Sequence, residues 1–142
     1  MTERTPIKQL STLLAELNPA LDPRAVVFHA CAPGDEPDLG VLEPLATVRE
    51  PEGLSLVLTQ RAAERAGLAT GSVFRWITLT VHSSLEAVGL TAAVAQALAD
   101  EGIPANVIAG ARHDHLLVPS RQAERALGVL RALSAAAAAQ PD

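Results

Sequence analysis

From Phe74 onward the hydrophobic period changes in an order that few architectures satisfy. Through Phe74 to Val81 the period is two. Ile77, Leu79 and Val81 share one face, and Thr78, Thr80 and His82 share the other. From Ser84 the period lengthens to that of a helix, with Leu90, Val94, Ala97 and Leu98 in one stripe. Gly102-Ile103-Pro104 stops that helix. A short apolar run, Ala105 to Ala109, then leads through a Gly110-Ala111-Arg112 turn to a returning strand at Leu116 to Val118. Ser120 opens a last helix striped by Ala123, Ala126, Leu127, Leu130 and Leu133. The order β-α-β-β-α is most of the split β-α-β-β-α-β plan. It predicts an α+β fold with a mainly antiparallel sheet and helices on one face. The last strand of that plan is not visible in the sequence.

The first half reads differently. Thr5 and Pro6 suit the N-cap and first position of a helix running to about Leu17, striped by Leu10, Leu13, Leu14 and Leu17. Asn18-Pro19 ends it. Strands are expected at Ala25 to Cys31, Pro44 to Arg49 and Leu54 to Leu58, with a solvated loop from Pro33 to Gly40. Thr59 caps a short helix that ends at Gly67, where Leu68 is placed to close a Schellman turn. The halves are thus α-β-β-β-α and β-α-β-β-α, with no convincing sequence repeat between them.

Composition narrows the function classes. The 142 residues fit one domain or two small ones. Hydrophobic residues make up 49% and aromatics 2%, so the core must be aliphatic. A net charge of −5 without any basic run argues against nucleic acid as the main partner. Cys31 is the only cysteine and cannot form an internal disulfide. Its apolar strand context fits an inert buried thiol. Charges in Met1 to Gln9 occupy the place of a signal peptide's apolar core, and no stretch approaches the ~20 apolar residues of a membrane span. A cytoplasmic protein with no membrane partner is expected. Ser83 and Ser84 lack the glycines of a nucleophile elbow, and no Walker loop, dinucleotide fingerprint or His-Glu-x-x-His occurs. The run Asp35-Glu36-Pro37-Asp38 fits a solvated loop better than a cation site. No catalytic residue, cofactor or metal is expected.

The strings Thr78-Leu79-Thr80-Val81-His82-Ser83-Ser84-Leu85-Glu86-Ala87-Val88-Gly89-Leu90 and Ile103-Pro104-Ala105-Asn106-Val107-Ile108-Ala109-Gly110, closing with His113-Asp114-His115, resemble an ACT domain. The strong likeness covers about residues 72–133. The whole chain is similar to small bacterial tandem-ACT proteins, and to the ACT repeats of the CASTOR-type arginine sensors. The resemblance implies ferredoxin-like βαββαβ-type units, an atypical N-terminal one over 1–71 and an ACT domain over 72–142. It also implies an eight-stranded or similar side-by-side sheet, and an amino acid or other small ligand held where units meet. ACT domains usually regulate an enzyme fused to them, and this chain shows no enzyme domain.

The residues themselves suggest where a ligand would sit. The loop His82-Ser83-Ser84-Leu85-Glu86 joins a strand end to a helix start, where unpaired amides and the helix dipole favour a carboxylate. Ser84 as a simple helix cap is the plainer alternative. Gly89 permits either a close ligand or close helix packing. Asp114, on the helix side of its strand, suits a ligand's ammonium or else a local turn. Asn106, with Val107 and Ile108 on the neighbouring strand, completes the candidate ligand-binding set. His82, His113 and His115 would gather on the opposite face. A metal-dependent enzyme built on them is a third reading, after a ligand-binding regulator and a homo-oligomerising interaction module without ligand.

Overall fold

The computed structural model describes residues 9–140. The expected cap at Thr5 and helix start at Pro6 lie outside them. In chain order the elements are α1 (Leu10–Ala15), β1 (Pro19–Ala30), α2 (Leu39–Leu42), β2 (Ala46–Glu50), β3 (Gly53–Thr59), α3 (Gln60–Arg65), β4 (Phe74–Leu79), α4 (Leu90–Asp100), β5 (Asn106–Ala109), β6 (Asp114–Pro119) and α5 (Ala123–Ala139). They form two compact units. One holds the described residues up to Asp22 and those from Trp76 to Gln140; the other spans Pro23–Arg75.

In the unit that contains Trp76, the strands run in the order β4-β6-β5. β5 and β6 are antiparallel, with Ala109 opposite Asp114 and Asn106 opposite Leu117. The alternation read from the sequence decides which side is buried. Ile77, Leu79, Val81, Leu116 and Val118 face the helices and pack with Leu90, Val94 and Leu98 of α4 and Ala126 and Leu130 of α5. Leu13 and Leu17, from α1 and the residues after it, complete that core, so the N-terminal stripe serves the unit made mostly of the later chain. Backbone bonds from Thr80 and Val81 to the carbonyls of Asn18 and Leu17 tie the segment between α1 and β1 to the end of β4. The N–H of Ile103 bonds to the carbonyl of Leu98 at 3.0 Å, closing α4 as the Gly-Ile-Pro signal requires.

Three expectations shift here. α4 begins at Leu90, not Ser84, because residues 84–87 close a turn of their own. Ser120 does not cap α5 directly; a 3-10 turn, Ser120–Gln122, intervenes. β6 starts earlier than Leu116, since Asp114 and His115 already pair with β5.

The Pro23–Arg75 unit has the strand order β2-β3-β1. Both pairings are antiparallel, with Val27 opposite Leu58 and Arg49 opposite Leu54. Val27, Cys31, Leu54, Leu56 and Leu58 bury one face with Leu42 of α2 and Ala63 of α3. Thr59 caps α3 as expected, its hydroxyl accepting from the Ala62 N–H at 3.1 Å, and Leu68 closes the far end onto the Ala63 carbonyl. β1 starts at Pro19, six residues before the expected Ala25. Helix α2 falls where the sequence reads as a loop; Asp38 caps it by accepting from the Gly40 N–H. Burial raises the Cys31 thiol above its ordinary range, and Asp35 and Glu36 push it the same way, which fits an inert thiol.

Candidate functional site

At the end where β4 finishes and β6 begins, the side chains of His113, just before β6, and of Asp114 and His115 at its start reach successive points of the neighbouring chain. His115 Nδ1 lies 2.9 Å from the Thr78 hydroxyl. The Ser83 hydroxyl donates to an Asp114 carboxylate oxygen at 3.3 Å. His113 Nδ1 donates to the Val81 carbonyl at 3.2 Å. Alternation sends Asp114 to the helix side and both histidines to the other. Ser83 is 8% exposed, the one buried polar side chain among the described residues.

The loop after Ser83 differs from the expected helix start. The Ser84 hydroxyl accepts from the Glu86 N–H at 3.1 Å and its carbonyl from the Ala87 N–H at 3.0 Å. Ser84 thus organises a local turn, and one of the amides assigned to a ligand carboxylate is already occupied. The helix N-terminus moves to Gly89, whose φ of +99° is open to glycine and strained for other residues. A side chain there would also press on Leu10 Cδ2 at 3.1 Å. Close packing against α1 therefore accounts for this glycine. Gly89, the N-cap, has no side chain with which to cap α4, and the dipole favours an anion at this end. Leu85 and Val88 are 71% and 83% exposed on the same loop.

The set on β5 does not converge with Asp114. Ala109 is the residue opposite Asp114, and Asn106 stands three residues further along, about 10 Å away. Three is odd, so Asn106 also points to the opposite face. Ile108 shares that face, opposite His115, and Val107 packs into the helix-side core. The physical reason is the tight hairpin. The Gly110 N–H bonds to the His113 carbonyl at 2.9 Å, so Asp114 pairs with the end of β5 and not its start.

His82 and His113 stand with ring centroids 6.3 Å apart. Among the described residues no three His, Cys, Asp or Glu side chains gather as metal ligands would. Sequence reasoning did not single out Trp76. Its indole N–H donates to the Thr78 hydroxyl at 3.1 Å, and its ring lies 4.8 Å from that of His115, tilted by 34°. The available signal was parity: Trp76 and Thr78 are two apart on one strand and must share a face.

A three-stranded antiparallel sheet faced by helices, with a polar corner between a strand end and a helix start, describes a ferredoxin-like ligand-binding module. Residues 5–75 and residues 72–132 each match an ACT domain, and this chain belongs to the ACT-domain family, whose members are regulatory small-ligand-binding domains. A crystal structure from Vibrio cholerae, of a protein of unknown function described as a possible transport protein, is 50% identical. The match covers 88% of this chain and 95% of that one, with a TM-score of 0.79. The ligand-free regulatory subunit of aspartate kinase from Thermus thermophilus shares the fold at 13% identity and a TM-score of 0.59, over 83% and 97% of the two chains. An Agrobacterium tumefaciens protein does so at 17% and 0.60, over 78% and 81%. No curated protein matches this chain. Among the described residues no helix is long and apolar enough to cross a membrane.

Proposed function

We propose that this chain is a stand-alone regulatory ACT protein of the cytoplasm that binds an amino acid and catalyses no reaction. Two ACT units, meeting near residue 72, make up the chain in this reading. Two features support this reading: the Asp114 carboxylate, held by Ser83, and, six residues beyond Ser83 in the chain, the N-terminus of α4, whose N-cap Gly89 has no side chain. An amino acid presents an ammonium and a carboxylate only a few Å apart. Asp114 takes the ammonium, and the amides from Gly89 into α4, with those of His82 to Leu85, take the carboxylate. Both charges are then met without leaving one buried and unpaired. A thermal-shift screen of the common amino acids tests this. A ligand at 100 times its Kd adds about 2.7 kcal/mol of stability. Asp114→Ala should then weaken binding by about 1–3 kcal/mol. Unchanged affinity in that variant would reject Asp114 as the ammonium partner, and no shift with any amino acid would reject the ligand class.

One observation favours an oligomerising role as well. β5 lies at the end of its strand order, and its residues Asn106-Val107-Ile108-Ala109 carry no charge. β2, at the end of the other order, carries Arg49 and Glu50. Charges protect an edge from pairing, and β5 has none. A second copy adding its own β5 antiparallel would satisfy both edges by symmetry. Sedimentation should show a dimer that Asn106→Lys converts to monomer; a monomeric parent protein would reject this part.

A further inference from the structure

We infer that the loop from Ser83 to Gly89 selects the ligand's side chain, and that the ligand is an amino acid with an aliphatic side chain, met by Leu85 and Val88. This rests on the binding corner proposed above and names the class of molecule it takes. The loop is fixed at both ends. The Ser83 hydroxyl donates to Asp114 at 3.3 Å, and Gly89 lies so close to α1 that a Cβ there would stand 3.1 Å from Leu10 Cδ2. Between these ends Ser84 closes a turn. Its hydroxyl accepts the Glu86 N–H and its carbonyl the Ala87 N–H. The loop is therefore shaped before a ligand arrives, and little ordering entropy is lost on binding.

Its apolar side chains divide into two sets. Ala87 packs against the helix-side core. Leu85 and Val88 stay exposed, and among the described residues they are the exposed large hydrophobic side chains of this unit. The others, Phe28, Leu39, Val41 and Val48, belong to the Pro23–Arg75 unit. Isolated exposed apolar residues are ordinary on a protein surface. Here both fall on the one loop that links the two features assigned to the ligand's charges. Leu85 stands two residues beyond Ser83, at most about 7 Å along the chain. Val88 adjoins Gly89. A ligand that meets Asp114 with its ammonium and the start of α4 with its carboxylate lies along this loop, and its side chain lies against Leu85 and Val88.

The loop offers little to a polar side chain. Leu85, Ala87, Val88 and Gly89 carry no polar side-chain atom. The two serine hydroxyls already bond within the protein, one to Asp114 and the other to the Glu86 N–H. A polar group brought there would lose water without a matching partner. An aliphatic side chain instead removes its own surface, and that of Leu85 and Val88, from water, at about a fourfold gain in affinity for each CH2 buried. Glu86 is the one ionisable side chain between Ser83 and Gly89, so a basic side chain is the alternative that a test must include.

Calorimetric titration of the full chain with valine, threonine, leucine, asparagine and lysine reads the class directly. Valine and threonine share a shape and differ by a methyl against a hydroxyl, so valine should bind about 10–100-fold more tightly. Leucine should likewise exceed asparagine and lysine. Leu85→Ser and Val88→Ser should bring the valine-to-threonine ratio towards one without moving the ligand-free melting temperature, and Leu85→Met should preserve it. A ratio unchanged in both serine variants overturns the assignment to these side chains. Serine variants that change the sedimentation of the ligand-free protein place the pair in a contact between proteins and overturn it as well. If a serine variant fails to fold, the five ligands on the parent protein decide: threonine, asparagine or lysine binding as tightly as valine and leucine overturns the class. Tight binding of a polar or basic amino acid that is lost in Asp114→Ala overturns this inference and leaves the corner standing. Binding of none of the five overturns it too, and the screen of all the common amino acids then decides the corner itself.

Discussion

Gly53→Ala is expected to destabilise the protein by about 2–6 kcal/mol, the sum of ~1–3 for the backbone and ~1–3 for overpacking. Gly53 opens β3 at a φ of +137°, which only glycine adopts without strain. A Cβ there would fall well inside contact distance of the Cys31 carbonyl oxygen, which is backbone and cannot swing aside. Moving it would pull on the bond from the Cys31 N–H to the Leu54 carbonyl at 2.8 Å, where β1 and β3 meet. Urea unfolding of the variant measures the loss. Gly71→Ala is the control, since nothing lies within 4 Å of its Cβ position and its φ is not positive. That change should stay within about 0.5 kcal/mol. If Gly53→Ala is equally mild, the hairpin tolerates the shift and the clash is not decisive.

Leu98→Ala should cost about 2–5 kcal/mol. Leu98 is fully buried and joins the helix side of β4 and β6 to Leu13, Leu17 and Leu130. The side chains around it come from several elements, so the space left by three carbons cannot close by moving one of them. Its carbonyl also receives the Ile103 N–H that ends α4, and alanine keeps that bond. The loss is therefore one of packing, and denaturant unfolding should show a lower midpoint with an unchanged slope. Leu85→Ala, at a side chain 71% exposed, should remain within about 0.5 kcal/mol. Equal effects at the two leucines would reject the assigned core.

The elements that sequence reading located best are those whose periodicity is long or whose ends are signalled twice. α4 carries a three-turn stripe and the Gly-Ile-Pro stop, and β4 alternates from Ile77 through Thr78 to Leu79. α2 escaped because four residues are too few to display a helical period. The first part of β1 was hidden by Pro19 and Pro23, which read as breaks and yet stand within the strand. At the candidate site, the side of the sheet was legible for Asp114, because parity along β6 fixes it. The start of α4 was not. Ser84 offers its hydroxyl to an N–H two residues on, and a serine that does so is indistinguishable in sequence from one that caps a helix. Asn106 was misplaced for another reason. Pairing depends on turn length, and the two-residue turn between Gly110 and His113 puts Ala109, not Asn106, beside Asp114.

The placement of α1 also bears on the order of folding during synthesis. The Ser134 hydroxyl donates to the Ala15 carbonyl, a contact between residues 119 apart, and Leu13 is buried beside Leu98 and Leu130. These partners of α1 leave the ribosome only after most of the chain has been made. Six residues of helix have little stability alone. The hydrophobic stripe of α1 therefore waits, exposed, while Pro23–Arg75 collapses on local pairings, and its burial is among the last events. Contacts this distant slow folding by raising the contact order. A chaperone that recognises short apolar segments would meet this one first and longest.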